Sequence, residues 1–256
     1  MRSRGLGPVV GGRALLLVAV TALSAGAAPA AGETVTVVAT RDATLFQDTD
    51  GDTASGAGPA LFAGMNSQRN IRRALVRFDL ADRVPRGSRV VEAELKLLVL
   101  NAPNRTVQPM TVHRLLGDWG EGESFSEGGL GDAATTGDAT WIHAFFPGTP
   151  WRAPGGDFEP EASAAANVPP EGPVAWTGAL LVDDVQAWID EPESAFGWLL
   201  RGEETEPASA RRFGSREDSD PADRPALVVK FIPPDRQRES TWGREKARWR
   251  TPRSGN

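Results

Sequence analysis

The chain has 256 residues, a hydrophobic fraction of 40%, 28 glycines and 20 prolines, which is typical of a globular protein with short elements and many turns. It has no cysteine, which excludes disulfides, thiol catalysis and cysteine-ligated metals. The net charge is −6, and because residues 1–32 contribute +3 and residues 235–256 contribute +4, the segment between them carries −13, which argues against binding to nucleic-acid phosphates.

The first 30 residues have the three parts of a secretory signal peptide. Arg2, Arg4 and Arg13 come first, the apolar run 14–20 follows, and small residues surround the cleavage site Ala28-Pro29-Ala30. The apolar run is too short to span a bilayer of about 30 Å. The sequence therefore predicts export to the extracellular space, the periplasm or the cell surface, with no stable membrane insertion after cleavage.

Residues 33–233 have the pattern of one all-β domain. In residues 91–99 the apolar side chains occupy every second position while Glu92, Glu94 and Lys96 take the positions between them, as in a half-buried strand. Strands are predicted over residues 34–39, 43–46, 74–80, 91–99, 110–116, 174–181, 197–201 and 226–232. This number of short strands predicts a two-sheet antiparallel β-sandwich.

Three segments depart from this pattern. Residues 48–64 are rich in Asp, Gly and Ala and have no period, which predicts a long surface loop. Residues 183–189 begin with acids, have apolar positions at helical spacing and stop before Pro192, which predicts one short helix. Residues 234–256 are polar and basic, which predicts a disordered tail.

The aromatic residues are unusual, with eight tryptophans and no tyrosine. Trp119, Trp141 and Trp151 lie in Gly- and Pro-rich segments, where an indole either stacks on a sugar ring or caps the end of the core. Trp188 and Trp198 lie in regular elements with apolar neighbours and are expected in the core. For a sugar site, Asp118, Glu121 and Arg152 beside the first three indoles are the expected polar partners.

Asp48, Asp50 and Asp52 alternate around Gly51, so the turn can bring three carboxylates onto one Ca²⁺ ion. It is not an EF-hand loop, because the sixth and twelfth positions hold Thr53 and Pro59 instead of Gly and Glu. A solvated acidic turn is the alternative. Calcium is the one cofactor that the sequence indicates.

An ordered set of motifs resembles a known family. The motifs are RALVRFDL at 73–80, VEAELKL at 91–97, GDWGEG at 117–122, TWIH at 140–143, PW at 150–151, PGGDF at 154–158, VQAW at 185–188, GWLLRG at 197–202, RFGSRE at 212–217 and PALVV at 225–229. They resemble the DNRLRE-domain family. The resemblance implies a jelly-roll-like β-sandwich in secreted bacterial proteins, of which some are carbohydrate-binding modules attached to polysaccharide lyases.

Six residues of these motifs have either a ligand-binding or a structural role. They are Arg77, Asp79, Trp119, Trp141, Ser215 and Arg216. Three functions remain open. The first is a non-catalytic module that binds an extracellular or cell-surface polysaccharide, and the second is a structural or adhesive surface protein. The third, an enzyme acting through two carboxylates, has no catalytic motif in the sequence and would need a pocket with converging acids of shifted pKa.

Overall fold

A computed structural model describes residues 32–234. The predicted signal peptide lies outside the described residues, as does the basic tail from residue 235 onward. Fifteen strands and one α-helix occur in this range. They are β1 (Glu33–Val38), β2 (Arg41–Phe46), β3 (Thr53–Ala54), β4 (Ala60–Met65), β5 (Ile71–Arg77), β6 (Arg89–Asn101), β7 (Gln108–Arg114), β8 (Asp132–Ala133), β9 (His143–Phe145), β10 (Thr149–Pro150), β11 (Ala164–Val168), β12 (Gly172–Thr177), α1 (Ala179–Asp190), β13 (Trp198–Arg201), β14 (Arg211–Gly214) and β15 (Ala226–Ile232).

The fold is all-β and antiparallel, as the sequence predicts. Eleven strands form one large curled sheet whose main path is β1-β15-β6-β14-β4-β5-β13-β7-β11, with β12 also paired to β6 and β2 to β5. Strand β4 joins the two halves, because it pairs with β14 through residues 60–63 and with β5 through Gly64 and Met65. The two halves face each other in a sandwich-like arrangement around the core.

The structure corrects the predicted loop at residues 48–64. Its second part is β4, in which all six residues are buried between β14 and β5. The sequence ALFAGM hides this strand because its small residues and glycine lack the usual β-branched pattern. Gly64 is needed there: its φ is +113°, and a Cβ atom would lie 2.7 Å from Cα of Ala210.

The predicted helix is confirmed but longer, at 12 residues. It begins before the two acids and includes Leu181, which the sequence pattern placed in a strand. Leu181, Val185 and Trp188 lie on its buried face, and the Trp188 ring is 4.4 Å from the ring of Trp198. Both indoles are in the main core, as expected. Within residues 32–234 no helix combines the length and apolar character needed to cross a bilayer.

The sheet half formed by β2, β5 and β13 is buried on both faces. Ala74 and Leu200 face the main core, whereas their chain neighbours Leu75 and Leu199 belong to a second apolar cluster on the other face. Residues 115–158 supply the rest of that second cluster, and they cover this face of the sheet. The segment with the three candidate tryptophans is therefore the cover of a second core.

Candidate functional site

The three candidate indoles are buried in the second cluster. Trp119 is fully buried, and Trp141 and Trp151 are 7% and 6% exposed. The indole N–H of Trp119 donates to the carbonyl of Phe196 at 2.9 Å, and that of Trp151 donates to the carbonyl of Thr140 at 2.9 Å. Rings that are enclosed by protein offer no face to a sugar. The sugar-stacking interpretation of these residues is therefore wrong in this structure, and the core-capping alternative holds.

The three charged candidates beside these indoles have separate partners. Glu121 binds Arg216 beside β2. Asp118 is half-exposed and accepts hydrogen bonds from the guanidinium groups of Arg77 and Arg41 at 2.8 and 3.4 Å. Arg152 is exposed: its guanidinium is 4.0 Å from Asp157, and its backbone N–H donates to the two carboxylate oxygens of Asp157 at 2.9 and 3.0 Å. Their positions do not form one polar groove with the indoles, because the indoles are below the surface.

The acidic turn does not form the predicted calcium site. Asp50 and Asp52 are exposed, and a carboxylate oxygen of Asp48 accepts a hydrogen bond from the backbone N–H of Gly51, which closes the turn. Gly51 has φ +64°, and a Cβ atom there would contact Ile142 at 2.6 Å. The three carboxylates do not converge, because Asp48 turns inward to the backbone while the other two point into solvent.

Three carboxylates from other parts of the chain meet beside β2. Oxygens of Asp42, Glu121 and Glu217 lie within 4.8 Å of one another, and among residues 32–234 this is the only such group of three His, Asp or Glu side chains. Glu121 binds the guanidinium of Arg216 with both oxygens, at 2.6 and 2.7 Å. The Arg216 backbone N–H donates to Asp42 Oδ2 at 2.7 Å, and its guanidinium is 2.7 Å from Glu217 Oε1. We call these three acids and Arg216 the acidic cluster.

The acidic cluster is partly unsatisfied. Asp42 is 1% exposed, and its Oδ1 has no hydrogen-bond partner among the described residues; the same holds for the buried Oε2 of Glu217. Burial raises the pKa of Asp42 well above its ordinary value, and the charge of Glu217 raises it further. Burial likewise raises the pKa of Glu217, while the hydrogen bonds that the Arg216 guanidinium donates to Glu121 raise the pKa of Arg216.

A separate groove of about 380 Å³ crosses β4, β6 and β14. Its polar rim includes Asn66, Gln68 and Asn101, which are at least partly exposed. Phe62 lies in its floor, and Leu130, which is 66% exposed, forms part of its wall. The size lies within the ~300–1,000 Å³ range of small-molecule sites, and the mixture of amides and apolar carbon suits a sugar, which has both hydroxyl groups and apolar C–H faces.

Three arginines and no acidic residue line this groove. Arg211 is fully buried, and its guanidinium donates to the backbone carbonyls of Pro169, Ser209 and Thr106 without meeting a carboxylate. Arg72 lies over the ring of Phe46, and burial lowers its pKa to about 10, so it remains charged at neutral pH. Arg212 is half-buried and has no ionic or hydrogen-bonding partner for its side chain within residues 32–234. The groove is thus a positive site on an acidic domain.

Local sequence patterns indicate neither the groove nor the meeting of the residues in the acidic cluster. Asp42 did carry a signal, since a lone acid at the start of an apolar strand is a candidate for a buried, functional carboxylate. Glu121 and Arg216 were singled out for other reasons, namely a sugar site and the family motifs. Arg212 begins the RFGSRE motif, but nothing local indicates that Arg211 and Arg212 line a groove, because an arginine pair in a strand is usually solvated and the flanking strands β4 and β6 are distant in the chain.

No protein-family model matches the chain, and no curated protein matches it either. The likeness to DNRLRE domains therefore depends on the sequence motifs themselves. The function has to be inferred from the geometry of the described residues.

Proposed function

We propose that this protein is a non-catalytic module that binds an extracellular or cell-surface polysaccharide, and that the groove lined by Arg72, Arg211 and Arg212 holds the sugar chain. The observation that carries this proposal is the set of residues that line the groove: three arginines, of which Arg212 has a guanidinium without a partner among the described residues, together with side-chain amides and apolar carbon and no carboxylate. Residues 33–234 together carry a net charge of −13, so a groove lined by arginines and no acid differs in charge from the rest of the domain. The family resemblance in the motifs supports the same ligand class.

The charge favours an acidic polysaccharide over a neutral one. A sugar carboxylate placed near Arg212 would accept a charge-assisted hydrogen bond from a guanidinium that has no other partner among the described residues. Such a bond is stronger than one between neutral groups. The buried charge of Arg211 has no counter-ion and adds to the positive potential of the groove. An open groove encloses only a few sugar rings, so we expect a dissociation constant of the order of micromolar to millimolar.

An enzyme that acts through two carboxylates is the second candidate, since Asp42 and Glu217 converge and both have a raised pKa. Access argues against it. Asp42 is 1% exposed, so a glycosidic bond cannot reach its carboxyl group without rearrangement of the fold. A binding role therefore agrees better with the geometry.

The test is calorimetry of the protein with acidic and neutral polysaccharides, on the wild type and on two arginine variants. We expect Arg212→Ala to weaken binding of the acidic polymer about tenfold or more, because a hydrogen bond to a charged group contributes about 1.5–3 kcal/mol. Arg152→Ala is the matched control: it removes an exposed arginine outside the groove and should leave binding unchanged. Added salt should weaken the wild-type interaction.

The opposite ranking of the two variants would place the ligand near residues 118–152 and overturn the groove. If the folded protein binds none of the polymers, the structural or adhesive function is correct instead.

A further inference from the structure

We propose that the acidic cluster is a divalent-cation site, in which Asp42, Glu121 and Glu217 bind one Ca²⁺ ion. The site is independent of the groove and of the polysaccharide proposal. It also differs from the acidic turn at residues 48–52, whose carboxylates do not meet.

The first support is the balance of charge. Three carboxylates and one guanidinium meet in the cluster, so its formal charge is −2 when all the acids are ionised. Groups with this much burial rarely retain an unbalanced charge, because a charge is costly to remove from water unless it is paired. One divalent cation would neutralise the cluster completely.

The second support is the pair of buried oxygens without a partner. Arg216 and the backbone already satisfy Glu121 and Asp42 Oδ2, yet Asp42 Oδ1 and Glu217 Oε2 have no donor among the described residues. The Asp42 side chain is 99% buried and faces the other two carboxylates, whose oxygens lie within 4.8 Å. Buried polar atoms are nearly always satisfied. Asp48 Oδ2 is also buried without a partner, but no other carboxylates among residues 32–234 converge on it, whereas the orphaned oxygens of the acidic cluster belong to carboxylates that meet, which points to a ligand between them.

The spacing favours Ca²⁺ over Mg²⁺. Calcium–oxygen distances of about 2.3–2.6 Å allow two oxygens bound to one ion to be about 5 Å apart. Magnesium–oxygen distances of about 2.0–2.1 Å limit that separation to roughly 4 Å and require near-octahedral geometry. Three oxygens that lie within 4.8 Å of one another can therefore bind one calcium ion after small side-chain adjustments, while water molecules would complete its coordination.

Such an ion would tie together three distant segments: β2, the covering segment at Glu121, and the turn after β14. This is the kind of cross-link that a cysteine-free chain lacks. Ca²⁺ would then stabilise the folded state, because it binds the assembled cluster and not the unfolded chain.

The experiment measures melting of the chelator-treated protein with CaCl₂, with MgCl₂ and with chelator alone, together with calorimetric titration of CaCl₂. We expect saturating Ca²⁺ to raise the melting temperature by about 5–10 °C and Mg²⁺ to raise it much less. Glu217→Gln, which keeps the shape of a half-buried side chain, should lose this shift and at least tenfold in calcium affinity. Asp42→Asn should behave in the same way.

The control is the double variant Asp50→Asn/Asp52→Asn, which removes two exposed carboxylates of the acidic turn and should keep the full calcium shift. Loss of the shift in this variant, with its retention in Glu217→Gln, would move the site to the turn. If the wild-type protein shows neither a shift nor calorimetric binding, the proposal is wrong, and the orphaned oxygens are satisfied by protons. Should Asp42→Asn fail to fold, Glu217→Gln and the wild-type titration still decide the outcome.

Discussion

Trp119→Ala should lower the free energy of unfolding by about 3–5 kcal/mol, measured by guanidinium denaturation. The indole is fully buried in the second cluster, so its removal leaves a cavity that the surrounding side chains cannot fill. It also leaves the carbonyl of Phe196 without its donor. A loss of this size is a large part of the 5–15 kcal/mol typical of a folded domain.

Two further variants separate the causes. Trp119→Phe keeps part of the apolar contact, leaves a smaller cavity than alanine does and loses the N–H donor, so we expect a smaller loss of about 1–3 kcal/mol. Phe125→Ala, in the same covering segment but 52% exposed, should change stability by no more than about 0.5 kcal/mol. If Trp119→Ala instead left stability intact and abolished polysaccharide binding, the indole would be a ligand-binding group, and the structural role inferred from its burial would be wrong.

Glu204→Ala should destabilise the protein by a similar amount, about 3–5 kcal/mol, because it breaks a buried ion pair from one side. Both carboxylate oxygens of Glu204 bind the guanidinium of Arg73, at 2.8 and 3.0 Å, and the two side chains are only 8% and 11% exposed. The guanidinium also donates to the carbonyl of Gly155 and lies 4.9 Å from the ring of Trp141. This pair therefore anchors the covering segment to β5, and its loss leaves a buried charge without a counter-ion.

The double variant Arg73→Met/Glu204→Leu tests this explanation. Replacing both charges with apolar side chains removes the buried unpaired charge and leaves the half-exposed Arg201 without its 3.0 Å contact to Glu204, so most of the lost stability should return. Glu92→Ala is the matched control, since its pair with Lys230 at 2.7 Å is exposed and should contribute at most about 1 kcal/mol. Equal losses in Glu204→Ala and in the double variant would show that packing of the side chains, and not their charge, holds the segment in place.

Much of the fold follows from local sequence patterns. The alternation in β6 and the short apolar run in β15 predicted strands, and every second residue from Ala93 to Val99 is buried as expected. Val91 was expected on the same inner face but is 37% exposed, because a shift in the pairing of β6 with β15 puts Val90 inside instead. The same reasoning failed for β4, where small residues replace the alternation. In β2, β5 and β13 the local pattern did not reveal the second buried face, because the residues that cover it are 40 or more positions away in the chain.

The candidate site shows the same division more sharply. Length, composition and periodicity by themselves determine an all-β domain with one helix, an acidic charge and no cysteine chemistry, since each of these depends on residues that are near one another or on simple counts. Tertiary structure alone decided that Trp119, Trp141 and Trp151 are core residues, that Asp42 meets Glu121 and Glu217, and that three arginines share a groove. The physical reason is that burial and electrostatic contact depend on spatial distance, and strands that pair in this sheet come from opposite ends of the domain.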